Sequence, residues 1–216
     1  MSIRERLGRL FGFHRPGPRP PGDQSARLAL PLAAWHRHHQ AHIVLDRCRW
    51  MGVPALKNPL DAWIYQEILW EVKPAVVVEI GAYRGGSTLF LAHLLDLIGA
   101  GEVVSIDRDR ARFQPVHPRI KGLEGDSCDP ALRAQVFALV AGRSCLVIHD
   151  GDHRAAAVLN DLRADAPLVT PGSYVIVEDG VVDLLPGDPA FGGLGPGPLA
   201  AVDAFLLEHP EFAPDP

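Results

Sequence analysis

The stretch VVVEIGAYRGGSTLFLAHLL, residues 76–95, decides the fold of this 216-residue chain. Residues 76–80 are apolar apart from one carboxylate, and the segment has the length of a buried strand. A loop with three glycines follows. From residue 87 to 98 apolar side chains then repeat with the period of a helix, which Gly99 ends. A buried strand, a glycine loop and a helix in this order are typical of a parallel α/β sheet.

The same alternation continues along the chain and extends the prediction to a whole sheet. Before it, Asn58 and Pro59 open a helix that ends at Lys73, because Asn is a favoured N-cap and Pro suits the first helical turn. The sequence therefore predicts an α/β fold, a doubly wound, mostly parallel sheet with helices on both faces. The further predicted segments are strands at 102–106, 120–124, 145–149 and 174–177, and helices at 129–140, 155–164 and 198–208.

Composition narrows the class of protein. Apolar residues make up 47% and charged residues 22% of the chain, which is typical of a globular domain, and the net charge of −5 opposes non-specific binding to nucleic acid. Three cysteines without a paired spacing indicate a reduced, cytoplasmic chain. No apolar run approaches the roughly 20 residues of a membrane span, so stable membrane insertion is not expected.

The chain divides into three predicted segments. Residues 1–25 are basic and rich in proline, which predicts a disordered tail. Residues 26–73 are predicted to form N-terminal helices, and residues 74–216 an α/β domain that makes one globular unit with them. Within that domain residues 180–197 are rich in Gly and Pro without periodicity, which indicates a functional lid or a disordered stretch.

The glycine loop indicates what the sheet binds. Ligands of open parallel sheets lie beyond the carboxyl ends of the strands, where this loop follows the first strand. Its spacing is G-x-x-x-G-G and not the G-x-G-x-x-G of a dinucleotide site, which opposes a nicotinamide-dependent oxidoreductase. Glu79 would repel a pyrophosphate, but it suits the sulfonium and ammonium groups of S-adenosylmethionine.

Two further acids support an adenosine-containing cofactor. Asp107 ends the second strand, where a carboxylate can accept both hydroxyls of a ribose. Asp126 follows the third strand and fits a hydrogen bond to the adenine amine. The loop and the strand ends therefore point to an S-adenosylmethionine site at Glu79, Gly81, Gly85, Asp107 and Asp126.

Pairs of acids follow the fourth and fifth strands, in IHDGDH at 148–153 and VEDG at 177–180. Neighbouring strand ends lie about 5 Å apart, so these carboxylates should converge and repel one another unless a cation lies among them. Oxygen ligands without a nearby cysteine favour Mg²⁺ over zinc. The sequence therefore predicts a Mg²⁺ site among Asp150, Asp152, Glu178 and Asp179.

Two histidines lie beside these acids. His153 suits proton removal at neutral pH, and it equally suits a cap for the helix that follows. His149 precedes Asp150 and is expected to point to the opposite face of the strand, where it would pack.

Five stretches in order resemble the cephalosporin hydroxylase family, and the resemblance covers about residues 45 to 212. They are WMGVP at 50–54, KNPLDAWIYQE at 57–67, the glycine loop, DGDH at 150–153, and PGSY at 171–174 running into Glu178 and Asp179. The family resembles metal-dependent, S-adenosylmethionine-using class I O-methyltransferases, including rhamnosyl O-methyltransferases. The resemblance implies a small hydroxylated acceptor, a sugar or a natural product with adjacent hydroxyls.

The resemblance also implies roles for single residues. Mg²⁺ would be held by Asp150, Glu178 and Asp179, with Asp152 as the alternative to Asp150. Asp152 and His153 compete as the catalytic base. The cofactor site that the resemblance implies adds two residues to those found from the loop and the strand ends. It consists of Glu79, Gly81, Tyr83, Gly85, Ser87, Asp107 and Asp126.

One departure from the family lies at the end of the chain. The family continues into two more strands, whereas the fifth strand is the last clear one here. The sheet is therefore expected to lack the last two strands, and its open edge favours a homo-oligomer. The departure also motivates an alternative function, a non-catalytic cofactor-binding relic or partner subunit.

Overall fold

A five-stranded parallel sheet forms the centre of the chain in a computed structural model, which describes residues 29–185 and 195–215. The strands are β1 (Val76–Ile80), β2 (Glu102–Asp107), β3 (Ile120–Glu124), β4 (Cys145–His149) and β5 (Val175–Val177). Their order in the sheet is β3-β2-β1-β4-β5, so between β3 and β4 the chain returns across β1. This order places a topological switch point at the carboxyl ends of β1 and β4.

Helices cover both faces of this sheet, as the sequence predicted. The helices are α1 (Leu32–His39), α2 (Leu45–Arg47), α3 (Pro59–Val72), α4 (Gly86–Ile98), α5 (Pro130–Val140), α6 (Ala155–Asp165), α7 (Val181–Leu184) and α8 (Pro198–Glu208). Alternate β1 residues point to opposite faces: Val76 and Val78 pack with α5, and Val77 packs with α3 and α4. A third cluster joins α6 and α8 against β5.

Several helices begin or end at the capping residues that the sequence predicted. The side chain of Asn58 accepts a hydrogen bond from the Leu60 N–H, and Lys73 ends α3 in a left-handed conformation. Asp129 caps α5 in the same way as Asn58 caps α3. These caps satisfy backbone groups that would otherwise lack partners at the helix ends.

The N-terminal helical segment is shorter than predicted. Helical structure runs from α1 through a π-helix (Gln40–Val44) to α2, and the chain then forms an antiparallel hairpin. The strands of this N-terminal hairpin are Arg49–Trp50 and Val53–Pro54, joined by Met51 and Gly52, which both have positive φ. Two positive φ values suit the twist of a two-residue hairpin turn. The prediction of a helix over this segment overlooked the turn at Met51 and Gly52.

The predicted tail, residues 1–25, lies outside the described residues, and so do residues 186–194 of the segment predicted to be a lid or a disordered stretch. The described part of the sheet has five strands, with β5 at one edge. Among the helices of residues 29–185 and 195–215, none has the length and apolarity to cross a bilayer. Cytoplasmic location and homo-oligomerisation stay predictions.

Candidate active site

A cavity of about 630 Å³ opens at the carboxyl ends of β1, β2, β3 and β4. Its walls come from the loops after these strands, from α6, and from residues 54–56 at the end of the N-terminal hairpin. Its volume lies in the ordinary range of small-molecule sites. Among the predicted site residues, the lining includes Gly81, Tyr83, Ser87, Asp107, Asp126, Asp150, Asp152, His153 and Asp179.

The glycine loop packs directly on the loop that carries the acids. Gly81 has φ +91°, and a Cβ atom there would lie 2.0 Å from the carbonyl oxygen of Asp150. The Asp150 N–H donates to the carbonyl of Ile80, at 2.8 Å. The cofactor loop and the acidic loop therefore form one packed unit, and a glycine is required where they touch.

Gly85 has a role behind the cavity. It begins α4 with φ +82°, and a Cβ atom on it would meet the side chains of Phe113 and Pro115 at 2.6 Å. It lies outside the cavity lining. Gly85 therefore shapes the loop from behind the cavity, and its predicted contribution to cofactor binding stays a prediction.

Glu79 also lies behind the loop and not in the cavity. Its side chain is fully buried, and its carboxylate oxygens accept hydrogen bonds from the hydroxyls of Ser87 and Thr88. Burial raises the pKa of the Glu79 carboxyl, and the two hydroxyls oppose that rise. In this structure Glu79 holds the first turn of α4 against β1, so it does not face a cationic ligand directly as the sequence interpretation assumed.

Asp107 and Asp126 lie where the sequence placed them, at the ends of β2 and β3. The Tyr83 N–H donates to Asp107 Oδ2 at 2.6 Å, and the Asp109 N–H donates to Asp107 Oδ1 at 3.1 Å. These bonds fix the Asp107 carboxylate beside the glycine loop. Asp126 pairs with Arg108, at 3.2 Å on the exposed rim.

Asp150, His153 and Asp179 form an acid–histidine cluster. One potential ligand atom from each residue lies within 4.8 Å of the others, and His153 Nε2 is 3.4 Å from Asp179 Oδ2. Burial raises the pKa of both carboxyls, and so does the negative charge of Glu178. Acids crowded in this way are stabilised by a cation placed between them.

Glu178 follows the end of β5 and contacts two residues of the N-terminal region. Its Oε1 accepts a hydrogen bond from Lys57 Nζ at 2.6 Å and another from the Tyr65 hydroxyl. Lys57 Nζ also donates to Asp150 Oδ2, at 2.7 Å. Burial by itself lowers the pKa of Lys57, but the two carboxylates raise it above its ordinary value, so the ammonium stays charged.

The two candidate bases differ in their surroundings. Asp152 accepts hydrogen bonds from the Arg154 guanidinium, with Nε 2.9 Å from Oδ1, and from the Arg154 N–H at 3.0 Å. These bonds lower the pKa of Asp152 to about 2. A carboxylate with so low a pKa is a weak proton acceptor, whereas His153 lies among the acids.

A polar network connects the loop after β3 with α6. Asp161 Oδ1 accepts hydrogen bonds from Ser127 Oγ at 2.6 Å and from Cys128 Sγ at 3.1 Å. His149, which the sequence interpretation treated as a packing residue, is buried with Nε2 2.8 Å from Asp161 Oδ2. Partial burial and Asp161 raise the pKa of Cys128 to about 11, so its thiol keeps its proton at neutral pH.

Sequence reasoning assigned no role to Lys57, Tyr65, Asp161 or the wall at residues 54–56. Lys57 and Tyr65 occur in a quoted motif, but they are 93 and 113 residues distant from their partners Asp150 and Glu178. Their contacts follow from tertiary packing. A lysine directly before a helix N-cap carries no local signal for such a contact.

Comparison with known proteins decides the family. The family model described as Rhamnosyl O-methyltransferase/CmcI matches residues 42–216. The chain belongs to this family. The resemblance found in the motifs is thereby confirmed, and the enzyme class of this member is O-methyltransferase.

Relatives of this rhamnosyl O-methyltransferase/CmcI family member support the assignment. A rhamnosyl O-methyltransferase of Mycobacterium leprae (strain TN) is 34% identical over 182 residues, covering 82% of this chain and 78% of that protein. A solved structure of cmcI-D160 with Mg and SAM is 25% identical with a TM-score of 0.58, covering 97% of this chain and 87% of the other. A structure of cmcI-N160 with SAH is 25% identical with a TM-score of 0.54, covering 85% and 93%.

Proposed function

We propose that this chain is a Mg²⁺-dependent O-methyltransferase that uses S-adenosylmethionine and acts on a hydroxyl of a sugar or a natural product with adjacent hydroxyls. One observation carries the proposal: the glycine loop, Asp107 and the acid–histidine cluster line the same cavity. A methyl donor and an ionisable acceptor bound in one cavity can be held in reacting geometry. Family membership, and the rhamnosyl O-methyltransferase relatives, support the acceptor class.

The cavity has the groups that S-adenosylmethionine requires. Gly81 brings the backbone close to the ligand space, and Asp107 is fixed by two N–H groups where a ribose diol can bind. Asp126, Ser127 and the Asp161 carboxylate supply polar groups at the adjoining wall. The predicted assignment of Asp126 to the adenine amine remains part of this proposal.

The acid–histidine cluster has the groups that Mg²⁺ requires. Asp150 and Asp179 offer hard oxygen ligands within reach of one ion. Burial, and then the charge of Glu178, raises the pKa of both carboxyls, and a divalent cation would favour their ionised forms. The third predicted ligand, Glu178, is adjacent in sequence and is held by Lys57 and Tyr65. Its place in the ligand set remains a prediction.

We assign the base role to His153, in preference to Asp152. When bound, S-adenosylmethionine would supply an electrophilic methyl group, and Mg²⁺ would lower the pKa of an acceptor hydroxyl. His153 would take up the hydroxyl proton as the oxygen forms its bond to the methyl carbon and the S–C bond breaks. Asp179 Oδ2, 3.4 Å from His153 Nε2, would stabilise the protonated ring.

Calorimetry with S-adenosylmethionine tests the cofactor part of the proposal. We expect micromolar binding to the wild type, and at least about tenfold weaker binding to Asp107→Ala, because a charge-assisted hydrogen bond contributes about 1.5–3 kcal/mol. Asp203→Ala is the control, since Asp203 is exposed on α8 and lies outside the cavity lining. Equal affinity of wild type and Asp107→Ala would contradict the site.

Two further titrations separate the competing functions. NADH should not bind, because the loop spacing differs from that of a dinucleotide site. A screen of sugar and natural-product diols should give methyl transfer. Cofactor binding with no transfer to any acceptor would favour the alternative of a non-catalytic cofactor-binding subunit.

A further inference from the structure

Lys57 lies at the centre of the acidic strand ends, although nothing in the proposed reaction requires it. Its side chain is about 8% exposed, and its ammonium is within 2.7 Å of one carboxylate from each of two strands. Asp150 follows β4 and Glu178 follows β5. One buried cation therefore connects the two loops whose acids are proposed to hold Mg²⁺.

The start of α3 and the side chain of Tyr65 also fix the position of Lys57. It directly precedes the capped start of α3, and Tyr65 of that helix donates to the same Glu178 oxygen that Lys57 contacts. Lys57 Nζ also lies 5.8 Å from the centre of the Tyr65 ring. The ammonium is thus held by a helix end, an aromatic ring and two carboxylates, and it is not a mobile surface charge.

Lys57 offsets part of the negative charge at the ends of β4 and β5. Asp150, Glu178 and Asp179 bring three carboxylates together, and Lys57 contacts two of them, Asp150 and Glu178. Without it, the three acids would repel one another in a partly buried site until a cation arrived. With it, the loops can hold their geometry before any metal binds.

We propose that Lys57 is a positioning residue, a counter-cation built into the acidic centre that preorganises the metal site and limits its affinity for divalent ions. The inference rests on the proposed function, because it treats these acids as the Mg²⁺ site. It predicts that the ammonium and a divalent ion compensate the same negative charge. Removal of the ammonium should therefore make the fold depend on the ion.

Thermal unfolding of Lys57→Met, in chelator and in millimolar Mg²⁺, tests this dependence. In chelator the midpoint should fall by roughly 10 °C, because removing one partner of a buried ion pair leaves buried charge uncompensated, which is strongly destabilising. Mg²⁺ should recover most of that loss and raise the midpoint of the variant much more than that of the wild type. Calorimetry should show Mg²⁺ binding about tenfold tighter in Lys57→Met.

Three variants separate charge compensation from ordinary packing. Tyr65→Phe removes a bond to the same Glu178 oxygen without changing charge, so its response to Mg²⁺ should equal that of the wild type. Lys121→Met removes an exposed ion pair with Glu102 and should change neither midpoint. Lys57→Met combined with Glu178→Gln removes both charges, and in chelator it should be more stable than Lys57→Met alone.

The double variant keeps the proposal testable if Lys57→Met does not fold in chelator. An equal rise in midpoint with Mg²⁺ for wild type and Lys57→Met would overturn the proposal. So would a double variant less stable than Lys57→Met. These measurements use neither cofactor nor acceptor, so failure of the proposed methyl transfer would be seen separately, as a loss of cofactor binding or turnover.

Discussion

Replacing Asp179 with asparagine is expected to lower the rate of methyl transfer by at least about a thousandfold, while S-adenosylmethionine binding stays within a few-fold of wild type. Asp179 is shared by the proposed metal site and by the contact with His153. Asparagine removes the charge and keeps the shape. It also tolerates the left-handed backbone at this position, where φ is +59°.

The stability of the variant separates lost chemistry from lost structure. Burial and Glu178 raise the pKa of Asp179, so its ionised form is disfavoured in the folded chain when no cation is bound. In chelator Asp179→Asn should therefore unfold at a temperature no lower than the wild type. Asp203→Asn, on the exposed face of α8, is the control and should leave activity unchanged.

Metal removal should reproduce the effect of the variant. The wild type in excess chelator should fall to the residual activity of Asp179→Asn, and added Mg²⁺ should restore only the wild type. Full activity of either the variant or the chelated wild type would show that the acids do not hold a catalytic ion.

Gly81→Ala is expected to lower the free energy of unfolding by more than about 3 kcal/mol, and with it to abolish cofactor binding. Its Cβ atom would lie 2.0 Å from the Asp150 carbonyl oxygen and 2.8 Å from the Gly151 Cα atom. Both neighbours are backbone, so they cannot turn aside as a flexible side chain could. The loop after β1 and the loop after β4 would have to separate.

Gly99→Ala is a matched control for the backbone conformation. Gly99 has φ +86°, close to the +91° of Gly81, but no atom lies within 4 Å of a Cβ atom built there. In Gly99→Ala, only the left-handed backbone conformation should then lower the free energy of unfolding, by about 1–2 kcal/mol. Thermal unfolding and calorimetry of both variants measure the difference, and equal losses would show that contact with Asp150 contributes nothing.

Much of the fold could be predicted because its signals are local. The apolar run at residues 76–80, the glycine after it and the caps Asn58 and Asp129 each act within a few residues. The proximity of the acids at the ends of β4 and β5 could also be predicted from the sequence, because parallel strands align their carboxyl ends. The N-terminal hairpin was not predicted, because strands of two residues are too short to show an alternating pattern and resemble the end of a helix.

Within the site, sequence by itself determined which residue types follow each strand, and therefore the class of chemistry. Tertiary structure decided which way their side chains point. Glu79 is turned to the hydroxyls of α4, and Glu178 to Lys57 and Tyr65, while His153 joins Asp150 and Asp179. Lys57 reaches acids 93 and 121 residues away. The physical reason is that charge pairing between distant segments depends on the packing of α3 and the sheet, which no local pattern encodes.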